Sequence, residues 1–309
     1  MPQLLHPSFL RIGRRSAAVL LLLAGLGLLM TGLARPTDAT DPYVVGSDLT
    51  RVTRISSELA ATALDRAART ERMLGLTGLS RRTVDRVVDR RGQRTYDEVT
   101  GLDAQDRPIA VLRFGLDGQL QAATRLGWRP GSGPALAAAA DAIRAAGRLA
   151  GTLGLRPFGT ATAARSGANG WSVRWPRTVD GVPVPGDGLR VQLWPDGSFH
   201  ALTAAEHPLA ADPSFTIPAA SAGAIVTALL DRWIPLAERR DARIVGTALA
   251  WVAPNDTFAS ARPDAPAEIR RLAWVVTVRS TGSLSESLRG LEVSIDAGDG
   301  SLLGGDVLR

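Results

Sequence analysis

No cysteine occurs in the 309 residues and no lysine either, so all 36 cations of the Lys+Arg class are arginines. The first absence excludes disulfide scaffolds, thiol nucleophiles, zinc ribbons and a lipidated N-terminal cysteine; the second excludes Schiff-base chemistry and a phosphate-loop lysine. Histidine is scarce, with three residues, and the sequence contains no HExxH and no G-x-S-x-G, so the common zinc-protease and serine-hydrolase signatures are missing. Gly25-Leu26-Gly27 resembles a glycine-rich nucleotide loop but lies inside an apolar leader. No cofactor and no resident metal are expected.

Charge of one sign is scarcer than the formal +6 suggests. Arg11, Arg14 and Arg15 stand in the leader, and the remaining 33 arginines face 30 acids, the first of which is Asp38. So small an excess excludes a dedicated nucleic-acid binder, which gathers cations on one face. An apolar fraction of 45% supports a core, and the roughly 275 residues behind the leader suffice for one large domain or two to three small ones.

What is present begins with that leader. Residues 1–15 hold three arginines and no acid, and 16–34 (SAAVLLLLAGLGLLMTGLA) form an uncharged run long enough to cross a bilayer. Residues 1–39 therefore read as a signal peptide or membrane anchor, with Gly32-Leu33-Ala34 and Thr37-Asp38-Ala39 as small-residue cleavage sites. The positive-inside rule then places the rest of the chain outside the cytoplasm, membrane-anchored or secreted. Arg14-Arg15 is a twin-arginine pair without the usual flanks.

Two breaker-rich stretches, 129–134 (RPGSGP) and 207–218 (HPLAADPSFTIP), divide the remainder into units at 40–128, 134–206 and 214–309. Each reads as a helix followed by strands. In the first, Val52, Ile55, Leu59 and Ala63 recur at helical spacing behind Ser47 and Asp48 as caps, and strands are expected at 84–88, 96–100, 109–114 and 120–124. In the second, Leu136, Ala140, Ile143, Gly147 and Ala150 share a helical face. Trp171, Val173 and Trp175 then alternate as in a strand, Asp180-Gly181 marks a tight turn, and Leu189, Val191 and Leu193 alternate again. In the third, Ala222, Ile225, Val226, Leu229 and Trp233 line a helix, and strands fall near 247–252, 272–278 and 291–295. The polar stretch 253–268 reads as an exposed insertion. The fold class expected is α+β: three repeated units, each a helix packed on a small antiparallel sheet, behind a signal or anchor helix.

The segment 171–202 (WSVRWPRTVDGVPVPGDGLRVQLWPDGSFHAL) resembles the PepSY-type and related propeptide repeats found beside secreted metallopeptidases. An aromatic strand at Trp171 and Trp175 leads to an Asp-Gly turn with Val182 and Val184, then to a Gly186-Asp187 strand and an Asp196-Gly197 hairpin. The third unit is similar through 271–278 (RLAWVVTV) and through Asp296 and Gly300 of its closing hairpin; the first unit matches weakly. The resemblance implies an extracytoplasmic sheet with a covering helix, acting as an inhibitor or folding aid for a peptidase, or as the ectodomain of a regulator of sensor kinases. No peptidase follows within these residues, so action on a separate partner is expected.

Candidate chemistry is sparse. His200 and His207 read as surface histidines, because no second ligand or nucleophile stands at a useful spacing. Asp296, Asp299 and Asp306 could approach a hard cation, but Asp-Gly pairs are what tight hairpins need. Most tryptophans read as core, with Trp194 the exception. Arg81, Arg82, Arg86, Arg90 and Arg91, interleaved with Asp85 and Asp89, form a solvated face, or a contact for anionic lipid heads or wall polymers. Val182 and Val184, between Pro183 and Pro185, mark a candidate partner edge together with Trp194. The functional expectation is a non-catalytic, extracytoplasmic protein-binding module that modulates a separate peptidase or a membrane signalling partner. It touches the membrane only through its N-terminal segment and binds no nucleic acid. The alternatives are a cell-wall or ligand-binding module and, further off, a carboxylate-dependent hydrolase.

Residues 1–39 fused to a reporter are expected to carry it across the membrane. Retention of the reporter in the cytoplasm, measured by protease protection, would overturn the assigned location.

Overall fold

A computed structural model of the protein describes residues 51–53, 55–89, 94–126, 133–166, 170–211, 213, 215–233, 242–255, 257–258, 269–280 and 290–308. The leader, the caps expected at Ser47 and Asp48, Arg90, Arg91 and most of 129–134 and 259–268 lie outside the described residues. The described chain is α+β, with three helices and two antiparallel sheets. Among the described residues no helix is long and apolar enough to cross a membrane.

The helices are α1 (Ser57–Met73), α2 (Ala139–Thr152) and α3 (Ala219–Trp233). Helix α1 starts later than the periodicity suggests. Val52 falls in strand β1 (Arg51–Thr53), and Ser56 caps the helix by accepting from the Leu59 N–H at 3.4 Å. A Ser in extended conformation is a better start than the β-branched residues before it, since its side chain satisfies an amide that the first turn leaves open. Helix α2 likewise starts after its expected position. Leu136 belongs to an extended lead-in, its N–H donating to the Pro195 carbonyl at 2.7 Å. The face that α2 buries is Ala142, Ala146 and Ala150.

Each helix is followed by four strands. These are β2 (Arg81–Asp89), β3 (Arg94–Leu102), β4 (Pro108–Gly115) and β5 (Leu120–Arg125) after α1. After α2 come β6 (Thr162–Ser166), β7 (Gly170–Val179), β8 (Val182–Leu193) and β9 (Phe199–Ala205). After α3 come β10 (Ala242–Val252), β11 (Arg271–Ser280), β12 (Gly290–Asp296) and β13 (Leu302–Leu308). The turn between β7 and β8 is set by Asp180 and Gly181, whose φ values of 51° and 79° suit a two-residue hairpin loop.

The first two meanders are not separate sheets. They join through β5 and β9 into one nine-stranded sheet, in the order β1-β2-β3-β4-β5-β9-β8-β7-β6, whereas β10 to β13 form a sheet of their own. The joining seam is short and, Leu202 apart, its residues are small: Ala122, Ala123 and Thr124 pair with Thr203, Leu202 and Ala201. Two meanders that each ended on such a strand would leave a row of unpaired backbone groups, and pairing the two ends removes it.

Because the sheet is continuous, α1 and α2 share one core. Ala63 and Ala67 of α1 and Ala142, Ala146 and Ala150 of α2 pack with Val99, Leu112, Phe114, Trp171, Val173, Trp175, Val191 and Leu202 of the strands. Alanine faces let the helices lie close while the sheet supplies the bulk, each large buried side chain contributing about 1.5–3 kcal/mol. Helix α3 covers the second sheet, with Ala222, Val226 and Leu230 against Val276, Val278, Val293 and Ile295. The stretch read as an exposed insertion begins by folding back: Asn255 accepts from the Gly305 N–H at 3.0 Å, and Phe258 stacks on Trp233 with ring centroids 4.7 Å apart.

Leu202, 1% exposed, pairs with Ala123 across the seam and with Val191 on its other side. Leu202→Ala is expected to cost about 2–5 kcal/mol. Hydrogen exchange should show protection lost in β4 and β5 as well as in β7 and β8. Loss confined to β6 to β9 would mean that the halves fold independently.

Candidate functional site

Past the seam the two central strands stop pairing with each other. Strand β5 runs back to Leu120 and β9 on to Ala205, yet their ladder ends at Ala122 and Thr203. Over this fork, between α1 and the segment after α2, opens a groove of about 960 Å³. Leu120, Gln121, Ala204 and Ala205 line it from the sheet, Arg66, Arg69 and Met73 from α1, and Leu155, Arg156 and Phe158 from the segment after α2. Met73 is 46% exposed there. A concave surface of mixed apolar and polar lining is where binding sites in folded domains generally lie.

The groove's electrostatics are lopsided. Its carboxylates are engaged within the protein: Asp117 accepts from the Gln119 N–H at 2.9 Å in its own turn, and Glu206 stands 3.6 Å from Arg177. Arg69 is paired with Asp65 at 3.1 Å. Arg66 lies over the Phe114 ring at 5.7 Å, and among the described residues neither Arg66 nor Arg156 has a carboxylate partner.

One end of the groove, at Glu206 and His207, is anchored by a buried ionic cluster. Asp187 of β8, its side chain fully buried, accepts from Arg177 of β7 at 3.0 Å and from the His207 N–H at 2.7 Å. The His207 ring bonds to the same carboxylate through Nδ1, and Arg270 Nη2 lies 3.3 Å from Oδ1 and 3.0 Å from that ring nitrogen. Arg177 also donates to the His207 carbonyl at 2.7 Å. Burial alone would raise the Asp187 carboxyl, but the hydrogen bonds from the His207 ring and backbone, with the charges of His207 and Arg270, outweigh it and hold the carboxyl below its ordinary value.

The cluster corrects two expectations. His207 is not a surface histidine but is 7% exposed. The stretch from 207 to 210 is not a loose linker, for the Arg270 N–H donates to the Pro208 carbonyl at 2.8 Å and the Ala210 N–H to the Arg270 carbonyl at 2.9 Å. Asp187, Arg177 and Arg270, and the groove's Arg66 and Arg156, were not singled out from the sequence. The available signal was an acid between two glycines in a strand, flanked there by Val184 and Leu189, since a charge at such a position must find partners.

The residues that were singled out lie elsewhere. Val184 is 2% exposed and Val182 half-buried in the hairpin with β7, so Val184 offers its side chain to no outside partner. Trp194 follows β8 and stacks on His200 at 4.1 Å between centroids, and burial pushes the His200 imidazole below its ordinary pKa. Nearby, burial and the facing Arg174 bring Arg190 down to about 10. Three arginines of the basic run are tied to carboxylates: Arg81 to Asp106 at 2.9 Å, Arg82 to Glu71 at 2.6 Å and Arg86 to Asp97 at 2.8 Å. Asp296 holds its own turn, accepting from the Gly298 N–H at 2.8 Å, and binds Arg271 at 2.8 Å.

No protein-family model matches the chain, and no curated protein matches it. Among solved structures, the Bacillus megaterium YpeB C-terminal domain is similar, with a TM-score of 0.41 and 12% sequence identity over 82% of this chain and 98% of that one.

Removing the carboxylate at the centre of the cluster strands two buried guanidinium groups, so Asp187→Asn is expected to cost roughly 3–5 kcal/mol near neutral pH. The folded carboxyl ionises below its ordinary 3.8. Its contribution is therefore complete above that value and is lost as pH falls through the depressed pKa. Acid unfolding followed by circular dichroism should show a wild-type stability that drops in this window and a shallower drop in Asp187→Asn. Identical acid limbs would remove Asp187 as the source.

Proposed function

We propose that the chain is a non-catalytic, extracytoplasmic binding module of PepSY-like design, and that the groove over the β5–β9 fork receives a segment of a partner protein. The observation that carries this reading is the groove itself: it lies over the middle of the sheet, between α1 and the segment after α2, with half-buried Leu120, Leu155 and Phe158 beside two arginines that have no carboxylate partner among the described residues. The segment 171–202, which carries the family resemblance, folds into β7, β8 and β9 and so builds one side of the groove's floor. The partner class remains the one expected from the sequence, a separate peptidase or a membrane signalling protein.

The hydrolase alternative needs a nucleophile or a pair of carboxylates poised over a substrate. The Asp187–His207 pair is the nearest approach to such machinery, because an acid that orients an imidazole is part of serine-hydrolase chemistry. Among the described residues that line the groove, however, the one hydroxyl is that of Thr70, which donates to the Arg66 carbonyl at 3.1 Å in its own helix. Asp117 and Glu206 are engaged as described above. The lining is arranged for contact and gives no group the role of attacking atom.

Ala204→Trp fills the floor of the groove without adding charge. Peptides selected on the full wild-type chain from a random display library are expected to bind this variant about tenfold or more weakly, the weight of one lost contact of moderate strength. The variant's melting temperature should stay close to wild type. Equal binding to both proteins, or a library that yields no binder, would overturn the groove as the binding site.

A further inference from the structure

The fork in the sheet, and the two arginines above it that have no carboxylate partner among the described residues, bear on what the groove would hold. We propose that its occupant is an extended, acidic peptide segment. The segment adds as a strand to the inner edge of β9 at Ala204 and Ala205, and its carboxylates are met by Arg66 and Arg156. This rests on the reading of the groove as the binding site and specifies the ligand that the site takes.

The backbone argument comes first. Ala204 and Ala205 pair outward with Leu189 and Gly188 of β8, and Leu120 of β5 pairs outward with Phe114 of β4. Across the fork these residues make no ladder pair with one another. Each strand therefore presents an inner edge of backbone donors and acceptors to the groove, which is the feature that strand addition uses. The β9 edge is the more open of the two, because its side chains are methyl groups whereas β5 presents Leu120 and Gln121.

Charge supplies the selectivity. Both of the groove's acids are used internally and Arg69 has its own partner, so Arg66 and Arg156 are left to meet whatever enters. The head of Arg66 lies against the backbone of Gly118, where φ is +85° and a Cβ would stand 2.5 Å from the guanidinium carbon. The forked donors of a guanidinium suit a carboxylate, which they can meet with two parallel hydrogen bonds. The volume, near the upper end of the roughly 300–1,000 Å³ range of ligand pockets, exceeds what one small anion would fill. Met73, Leu155 and Phe158 give apolar side chains of an extended segment a place to lie.

The test uses the full chain and three fluorescein-labelled peptides of equal length, alternating Val-Glu, Val-Gln and Val-Arg, with binding read by anisotropy. The Val-Glu peptide is expected to bind about tenfold or more tightly than Val-Gln, the weight of one charge-assisted hydrogen bond. That preference should shrink to about threefold or less in Arg66→Gln/Arg156→Gln, with Arg156→Gln alone, at an exposed position, shrinking it in part at an unchanged melting temperature, and the affinity should fall as salt rises. Two results overturn the acidic ligand while leaving the groove reading intact: equal binding of Val-Glu and Val-Gln that Ala204→Trp abolishes, or library-selected peptides that bind the groove while Val-Glu does not. Displacement of the Val-Glu peptide by free glutamate at the concentration at which glutamate alone protects Arg66 would show a simple anion site and overturn strand addition. An isotope-edited amide spectrum showing new strand hydrogen bonds on the bound peptide would support it.

Discussion

A carboxylate taken fully out of water must be met by donors on every side, and Asp187 meets that demand by drawing together three parts of the chain that are distant in sequence. Arg177 comes from the neighbouring strand, His207 from the segment that leaves the nine-stranded sheet, and Arg270 from the residue just before β11 of the second sheet. Each of these partners is itself nearly buried, with side-chain exposures of 13%, 8% and 10%. Attraction between such groups does not by itself make the fold more stable than an apolar packing would. What it does is restrict the path: any other course for residues 207–210 leaves a buried charge without its complement. The cluster thus fixes where the last strand of the first sheet ends and where the second sheet begins.

That restriction bears on the groove because Glu206 and His207 belong to both. Strand β9 leaves its seam with β5 after Thr203 and must still deliver the His207 N–H to Asp187 four residues later. The seam is only three residue pairs long, and beyond it the methyl side chains of Ala204 and Ala205 give β5 little to pack against. On the far side, the turn at Asp117 to Gln119 keeps β5 against β4. The fork follows from two strands that are each bound more extensively to their outer neighbours than to each other.

Much of this fold could be read from local pattern. Alternating Trp171, Val173 and Trp175, the Asp180-Gly181 turn and the alternation through Leu193 specify β7 and β8, since both period and turn chemistry agree there. The helices were legible for the same reason, although not their starts: Val52 and Ile55 fit helical spacing, yet Ser56 offers the cap and Val52 pairs with Val87 in the sheet. Strand β6 (Thr162–Ser166) gave no signal, as an edge strand with three of its five residues exposed needs little apolar alternation. The joining of β5 to β9 was invisible because residues 122–124 and 201–203 are ordinary strand segments whose pairing depends on the whole topology. The basic run from Arg81 read as a solvated face, but its alternation in β2 aims Arg82 and Arg86 at Glu71 and Asp97, acids contributed by other elements.

The candidate site was harder to read than the fold, and the reason lies in how its residues are distributed. Each side chain of the groove is ordinary in its own stretch: Arg66 sits among other helix charges, Arg156 in a turn after a helix, Ala204 at a strand end. Only the sheet's continuity brings them together, and continuity is the property that local pattern does not carry. The prominent residues, by contrast, were prominent for structural reasons. Val184 is buried, and Trp194 spends much of its surface stacking on His200. In a chain with no cysteine, no lysine and few histidines, the informative residues are arginines and acids, which differ less in type than in whether a partner has been supplied. Asp187 has its partners in excess and organises the backbone; Arg66 and Arg156 have no carboxylate among the described residues and face the open groove. The same rule, that charge near a low-dielectric surface must be complemented, accounts for the rigid end of the groove and for the chemistry its open part would select.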